Sequence, residues 1–148
     1  MRSLAALAII LAAPVSASAD GAADFARCAA CHLPSGAGVP GAFPPFAADF
    51  RSLTAEPDGR RYLALVVTRG AAGSITVDGK PYHGVMPAQS SLDDGAVAAV
   101  LNYIARSIAV AGPKFKSFST GEIAATRPVG LTMTSAQVAD LHAKAGGK

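Results

Sequence analysis

Three stretches of the chain carry apolar residues in patterns that predict helices, and segments rich in Gly and Pro separate them. The first predicted helix spans residues 20–31, with Asp20 as its N-cap. The second spans residues 58–69, and Gly70 follows it as a stop signal. Its centre, residues 62–67, is almost wholly apolar, so we expect that segment to be buried.

The third predicted helix, residues 92–108, gives the clearest signal, because its apolar residues cover most of its circumference. Ser91 and Asp94 resemble a capping box at its start, with Asp in place of the usual Glu. Before this helix, residues 74–82 alternate apolar and polar side chains around an Asp-Gly pair, which predicts a small hairpin.

The segment after the third helix, residues 113–148, forms a C-terminal extension with two predicted short helices. Each begins with an S/T-x-x-E/Q capping box, at residues 119–122 and at residues 134–137. Pro128 is expected to end the first of them. Short helices need a surface to pack on, so we favour an extension that lies over the core. A docking arm for a partner protein is the alternative.

Both cysteines of the chain belong to one motif, C-x-x-C-H, formed by Cys28, Cys31 and His32. Two thiols one helical turn apart can both reach the vinyl groups on one edge of a porphyrin and form thioethers. The adjacent imidazole can then bind the iron. A disulfide or a thioredoxin-like pair is the alternative, but the latter usually lies in a βαβ context. We therefore predict one covalently bound haem c.

Four residues compete for the second axial position on the iron: His83, Met86, Met133 and His142. Met86 precedes Pro87, which disfavours helical backbone at Met86 and holds it extended. His/Met ligation suits reversible one-electron transfer and raises the reduction potential. We predict Met86 as the ligand and His83 as its main rival, with the other two as surface or packing residues.

The first nineteen residues are typical of a signal peptide. Arg2 supplies the positive charge, residues 4–13 form an apolar run too short to span a bilayer, and residues 17–19 fit an A-x-A cleavage site. The mature chain would then begin at Asp20. An uncleaved anchor is the alternative. Export agrees with the motif, because c-type haem is attached outside the bacterial cytoplasm.

Charge excludes one class of partner. Cleavage would leave twelve Lys and Arg against ten Asp and Glu, a net charge of +2. The cationic residues are scattered, whereas nucleic-acid binding requires a basic patch or stripe. No segment after residue 19 is long and apolar enough to cross a membrane.

From residue 20 to about residue 108, the chain resembles the class I, single-haem cytochrome c family. Gly21 and Phe25 resemble the pattern on the family's first helix, and residues 101–104 resemble its last core helix. The resemblance implies an all-α fold in which these helices cross closely, with a small hairpin near the axial Met loop. The cytochrome domain would span residues 20–112.

The resemblance also implies a hydrogen-bond partner for the proximal imidazole. In the family, a proline carbonyl accepts this bond and fixes the orientation of the ring. Pro44, twelve residues after His32, is the candidate, and Pro45 is its alternative. Four residues are candidates for binding the haem propionates, and the sequence does not rank them: Arg51, Tyr62, Arg69 and Tyr82.

The resemblance further implies a periplasmic electron carrier rather than an enzyme. Similar extensions occur in cytochromes that serve periplasmic dehydrogenases, including sulfite and alcohol dehydrogenases. Such a dehydrogenase is the expected donor, and an oxidase or another cytochrome of the respiratory chain is the expected acceptor. A non-catalytic subunit bound permanently to the dehydrogenase is a second possibility. A haem enzyme with an open iron, acting as a peroxidase or binding a small ligand, is the alternative if Met86 does not ligate.

Overall fold

The computed structural model describes residues 20–148, so the predicted signal peptide lies outside the described residues. The predicted all-α class, with one small hairpin and two helices in the extension, is confirmed. The third predicted helix ends in a π-helical turn, Ile104–Ile108. The elements in chain order are α1 (Gly21–His32), α2 (Ala48–Ala55), α3 (Pro57–Arg69), β1 (Ala71–Val77), β2 (Lys80–Met86), α4 (Asp94–Tyr103), α5 (Thr120–Leu131) and α6 (Ser135–Lys144).

Side-chain caps start the first helix and the α4 helix. Asp20 caps α1 as predicted, because its carboxylate accepts backbone N–H bonds in the first turn. The predicted capping box of α4 is wrong. Asp93 is the N-cap, and its Oδ1 accepts from the N–H of Ala96 at 2.8 Å. The Ser91 hydroxyl instead accepts from Nη1 of Arg27 on α1, at 2.9 Å.

The α1 and α4 helices cross at close range. A Cβ added at Gly21 would overlap the backbone carbonyl of Ala99, so only glycine allows this approach. One turn further along, the rings of Phe25 and Tyr103 pack at 5.4 Å between centroids, tilted by 48°. The close crossing implied by the family resemblance is therefore present.

The α2 and α3 helices form an elbow that the sequence analysis did not predict. The first of them lacks a side-chain cap, and its Phe50 and Leu53 are buried in the core. Gly59 lets α3 turn back closely, because a Cβ there would overlap the Leu53 backbone. The centre of α3 is buried as expected, apart from Val66, which is half-buried.

The hairpin is longer at both ends than residues 74–82. Its strands pair antiparallel, from Val77 opposite Lys80 at the turn to Ala71 opposite Met86 at the far end. Gly70 enters the hairpin with φ 79°, and a Cβ there would lie 2.5 Å from the Met86 carbonyl oxygen. Met86 is thus the last residue of β2, in the extended backbone that its proline neighbour predicted.

The extension lies over the core. The α5 helix packs on α3 and α4, and α6 packs on α3 and on β1. Arg60 of α3 makes two hydrogen bonds to the Glu122 carboxylate, at 2.8 and 2.7 Å. The same guanidinium lies 3.9 Å from the centre of the Phe118 ring. Of the two alternatives for the extension, the packed arrangement is the observed one.

The prediction that Pro128 ends the first extension helix is wrong, because α5 continues past it to Leu131. Proline removes one hydrogen bond to the carbonyl four residues earlier. Tertiary contacts hold α5 on both sides of that gap. Arg127 Nε lies 2.6 Å from Asp94 Oδ1, and Gly130 packs against α3.

Candidate haem site

The last turns of α1 present the three residues of the C-x-x-C-H motif to a single cavity. Cys28 and Cys31 are half-buried, and both are free thiols. His32, at the end of the helix, is buried. Burial raises the pKa of the Cys28 thiol, so this sulfur is held as the neutral thiol. The helix therefore places two thiols and one imidazole on the same wall.

The His32 ring is held on two sides by the Gly- and Pro-rich loop after α1. Its Nδ1 lies 2.8 Å from the carbonyl oxygen of Pro44, and Phe46 stacks on the ring at 4.5 Å with 23° between planes. Because a carbonyl only accepts, Nδ1 carries the proton and Nε2 keeps its lone pair. Burial also lowers the pKa of His32, which favours the neutral ring that binds metals.

Pro44, not Pro45, is the proline whose carbonyl lies at the imidazole. The loop brings it there by reversing direction, with Val39 and Phe43 bridged antiparallel. The arrangement has the geometry of a supporting hydrogen bond to a ligating histidine. The functional role of that bond stays a prediction.

The cavity distinguishes Met86 from its main rival. Met86 is half-buried and lines the same cavity as His32. His83 lies three residues earlier on β2, is exposed, and its Nδ1 lies 2.6 Å from Ser74 Oγ on the neighbouring strand. His83 is not among the residues that line the cavity.

The other two candidate ligands belong to the extension, and both pack inside the molecule. Met133 is half-buried against the core, and its carbonyl accepts from Arg69 Nε at 2.6 Å. His142 on α6 is only 3 % exposed and lines the cavity beside Ala139 of the same helix. No pattern in the sequence indicated that the extension supplies a wall of this cavity.

The walls of the cavity are mainly apolar, but one part of the lining is a cluster of three polar side chains. Asp49, Tyr62 and His142 form that cluster; the Tyr62 and His142 rings are 5.3 Å apart. Burial, assisted by the nearby Asp49 charge, raises the pKa of the Tyr62 hydroxyl well above its ordinary value. The apolar lining includes Phe43, Pro44, Phe46, Phe50, Leu53, Leu63, Val66, Val67, Ile75, Val77, Val100, Leu101 and Ile104.

Of the four candidates for binding the haem propionates, two line the cavity and two do not. Arg51 donates to the Ala109 carbonyl at 2.9 Å, and Arg69 donates to the backbone of the extension. Neither arginine lines the cavity, whereas both candidate tyrosines, Tyr62 and Tyr82, do. The geometry therefore favours the tyrosines for contact with a ligand in this cavity.

The donor set fits a covalently attached iron porphyrin. Within residues 20–148, no group of three or more His, Cys, Asp or Glu side chains is placed to hold a metal. His32 and Met86 could supply two ligands to an iron whose other ligands are porphyrin nitrogens. Cys28 and Cys31 fit the C-x-x-C-H motif and could supply the thiols for attachment. Together these residues define a c-type haem protein.

Comparison with known proteins agrees with this class. Residues 18–107 match the family described as Cytochrome c. The chain is 42% identical over 126 residues to a cytochrome c-552 of Thermus thermophilus, covering 84% of this chain and 85% of that protein. A second Thermus thermophilus cytochrome c-552 is 44% identical over 116 residues, covering 77% of this chain and 88% of that protein.

The chain belongs to the cytochrome c family. It carries one covalently bound haem c, and its function is electron transfer with redox partners. Among the described residues, no helix has the length and apolarity needed to cross a membrane.

Proposed function

We propose that this protein is a periplasmic, single-haem electron carrier whose iron is ligated by His32 and Met86. The observation that carries the proposal is the shared cavity. It is lined by an imidazole whose Nε2 keeps its lone pair and by a thioether at the end of β2. Cys28 and Cys31 form the thioether bonds from the same wall as His32.

Each residue of the site has a separate task in electron transfer. The bound haem supplies the one-electron chemistry. Pro44 fixes the orientation of the His32 ring and raises the basicity of Nε2. Met86 would supply the second protein ligand to the iron, and a thioether ligand would raise the reduction potential. The apolar walls exclude water from the metal. With both axial positions filled, the site has no place for a substrate, which agrees with a carrier rather than an enzyme.

The surface around the cavity suggests how partners bind. Residues 28–48 and residues 81–92 contain no Asp, Glu, Lys or Arg. Both segments contribute to the cavity, and Leu33, Val39 and Val85 on them are exposed apolar residues. We call these two segments the uncharged rim. An uncharged rim favours partners that dock through apolar contact. We propose a periplasmic dehydrogenase as the donor and a respiratory-chain protein as the acceptor.

Replacement of Met86 tests the ligand assignment. We expect Met86→Ala to convert a six-coordinate, low-spin iron into a five-coordinate or water-ligated one and to lower the reduction potential. Ultraviolet–visible and electron paramagnetic resonance spectra, together with a redox titration, measure both effects. His83→Ala is the matched control, because His83 lies on the same strand but does not line the cavity.

The control also discriminates between the candidate functions. Unchanged spectra in Met86→Ala, with altered spectra in His83→Ala, would transfer the assignment to His83. A wild-type protein that is already five-coordinate would contradict the carrier and favour the haem enzyme with an open iron site. Loss of the weak far-red absorption of a Met–iron bond in Met86→Ala alone is the expected result.

A further inference from the structure

The hairpin that carries Met86 is too small to hold itself in place. It has two strands of seven residues each, and an isolated two-stranded hairpin is marginally stable in water at best. Neighbouring segments anchor the β2 strand. The N–H of His83 donates to the Gly41 carbonyl at 3.0 Å, and Gln89, just beyond the strand, donates to Val67 at 2.8 Å.

The extension anchors the other strand. The α6 helix packs along β1. Val77, the last residue of β1, is 2 % exposed, and Val138 on α6 is fully buried. Ala139 and His142 of α6 line the same cavity as Val77. The position of the hairpin therefore depends on the position of α6.

A polar network ties α6 and the hairpin tip to α2. The buried carboxylate of Asp49 accepts from His142 Nε2 at 3.0 Å and from the Lys148 N–H at 2.6 Å. The carbonyl of Lys148 accepts from the N–H of Asp78, in the hairpin turn, at 2.5 Å. We call Asp49, Asp78, His142 and Lys148 the clasp. A single carboxylate thus connects the helix, the hairpin turn and the cavity lining.

The backbone before Lys148 is shaped to fit the clasp. The N–H of Gly147 donates to the His142 carbonyl at 3.0 Å, which folds the segment back over the helix end. A Cβ at Gly147 would overlap the imidazole ring of His142. Only glycine therefore allows Lys148 to reach Asp49 while His142 keeps its place.

We propose that Asp49 is a positioning residue for the axial methionine, acting through the clasp. It fixes α6 against β1, and the hairpin in turn holds Met86 at the cavity. The proposal rests on the proposed ligation of the iron by Met86. Asp49 is suited to this task because both of its carboxylate oxygens have partners, whereas an amide offers one acceptor oxygen and so satisfies only one of them.

Two variants of the haem-loaded protein test the clasp. Asp49→Asn removes one acceptor. Gly147→Ala places a Cβ against the His142 ring, so it disturbs the clasp without altering the Asp49 carboxylate. Each is heated while two signals are followed: the far-red Met–iron absorption and the helical circular dichroism. Asp94→Asn is the matched control, because it makes the same change in an ion pair that ties α5 to α4, away from the hairpin.

In wild type and in Asp94→Asn, we expect the two signals to disappear together. In Asp49→Asn and Gly147→Ala, the Met–iron absorption should disappear at a clearly lower temperature than the helical signal. The reduction potential measured before that loss should fall. If both signals shift together in the clasp variants, the clasp is only a general stabiliser and the proposal is wrong. If Asp49→Asn does not fold, Gly147→Ala alone decides the question.

The spectrum of the wild-type protein, recorded before any variant is tested, separates failure of the proposed function from failure of the clasp proposal. A wild-type protein without the Met–iron absorption would refute ligation by Met86 and the clasp proposal together. A wild-type protein that has the absorption, with clasp variants that keep it up to global unfolding, refutes only the clasp.

Discussion

At the scale of single residues, Tyr62 links the cavity to the stability of the fold. Its pKa is raised by burial and, to a smaller extent, by the charge of Asp49. The folded state therefore holds the phenolic proton above about pH 10, where the unfolded chain loses it. Folded protein then binds more protons than unfolded protein, so stability falls as the pH rises above this value.

Replacement of this hydroxyl should remove that dependence. We expect Tyr62→Phe to lose less stability than wild type between about pH 9 and about pH 11, by about 1 kcal/mol. Chemical denaturation of both proteins at the two pH values measures the free energy of unfolding. For each protein, the value at the lower pH is the reference. Parallel losses in wild type and Tyr62→Phe would show that other groups govern the alkaline limit.

Single residues also show where the sequence was sufficient and where it was not. The motif of Cys28, Cys31 and His32 is local, so its spacing alone predicts that the three side chains serve one ligand, and all three line one cavity. The choice between Pro44 and Pro45 depended on how the loop folds back, which the sequence left open. The position of His142 in the extension predicts a surface or packing residue. No local pattern reveals its contact with Asp49, because the two residues are 93 positions apart.

At the scale of helices, the close crossing of α1 and α4 depends on Gly21, because a side chain at this position would overlap the α4 backbone. Ala is the better helix former by up to about 1 kcal/mol, but overpacking a close contact costs about 1–3 kcal/mol. We expect Gly21→Ala to destabilise the protein by about 1 kcal/mol or more, since its Cβ overlaps the Ala99 carbonyl. Urea unfolding of the two proteins gives the difference.

A matched substitution separates the two effects. Gly121 also lies in the first turn of a helix, and the nearest atom to its added Cβ is the Ser119 hydroxyl, at 4.0 Å. Gly121→Ala should therefore be neutral or stabilising, by up to about 1 kcal/mol. Equal effects in the two variants would mean that helix propensity, not the crossing, determines the outcome at Gly21.

The sequence correctly predicted helix ends where a capping residue next to the helix determines them. Asp20 and Gly70 mark the start of α1 and the end of α3 as predicted. The α2 helix has no side-chain cap, so its ends are set by packing against α3 rather than by a local signal. The prediction from Pro128 is wrong because tertiary contacts hold α5 on both sides of the proline.

At the scale of the whole molecule, the uncharged rim is the surface through which we expect two copies of the protein to exchange electrons. We expect Val85→Lys, at a rim residue that is 69 % exposed, to slow electron self-exchange between reduced and oxidised protein at low ionic strength. Added salt should restore much of the rate, because the Debye length falls to about 10 Å at 0.1 M. Nuclear magnetic resonance line broadening of mixtures measures the exchange.

An equally exposed position provides the control for this charge. Val110 is 67 % exposed and does not line the cavity. Val110→Lys adds the same charge and should leave self-exchange close to the wild-type rate. If the two variants slow exchange equally, net charge rather than the rim determines the rate. Both variants should keep wild-type melting temperatures, since exposed substitutions usually change stability little.

The placement of the extension was the least predictable feature of the whole molecule. Its helices were recognisable from their capping boxes, and α6 has the complete box at Thr134 and Gln137. The surface on which these helices pack depends on residues far away in sequence. Arg60, for example, donates a hydrogen bond to Glu122. Capping residues specify where a helix starts, whereas the surface that receives it is created by the rest of the fold.

The wall that α6 contributes also separates enclosure of the cavity from the attachment motif. Ala139 and His142 lie more than a hundred positions after Cys28 and Cys31, yet all four residues line the same cavity. We expect a chain that lacks α6 to leave the cavity open to solvent on that side. The segment that encloses a bound cofactor is thus distant in sequence from the segment that carries the thiols.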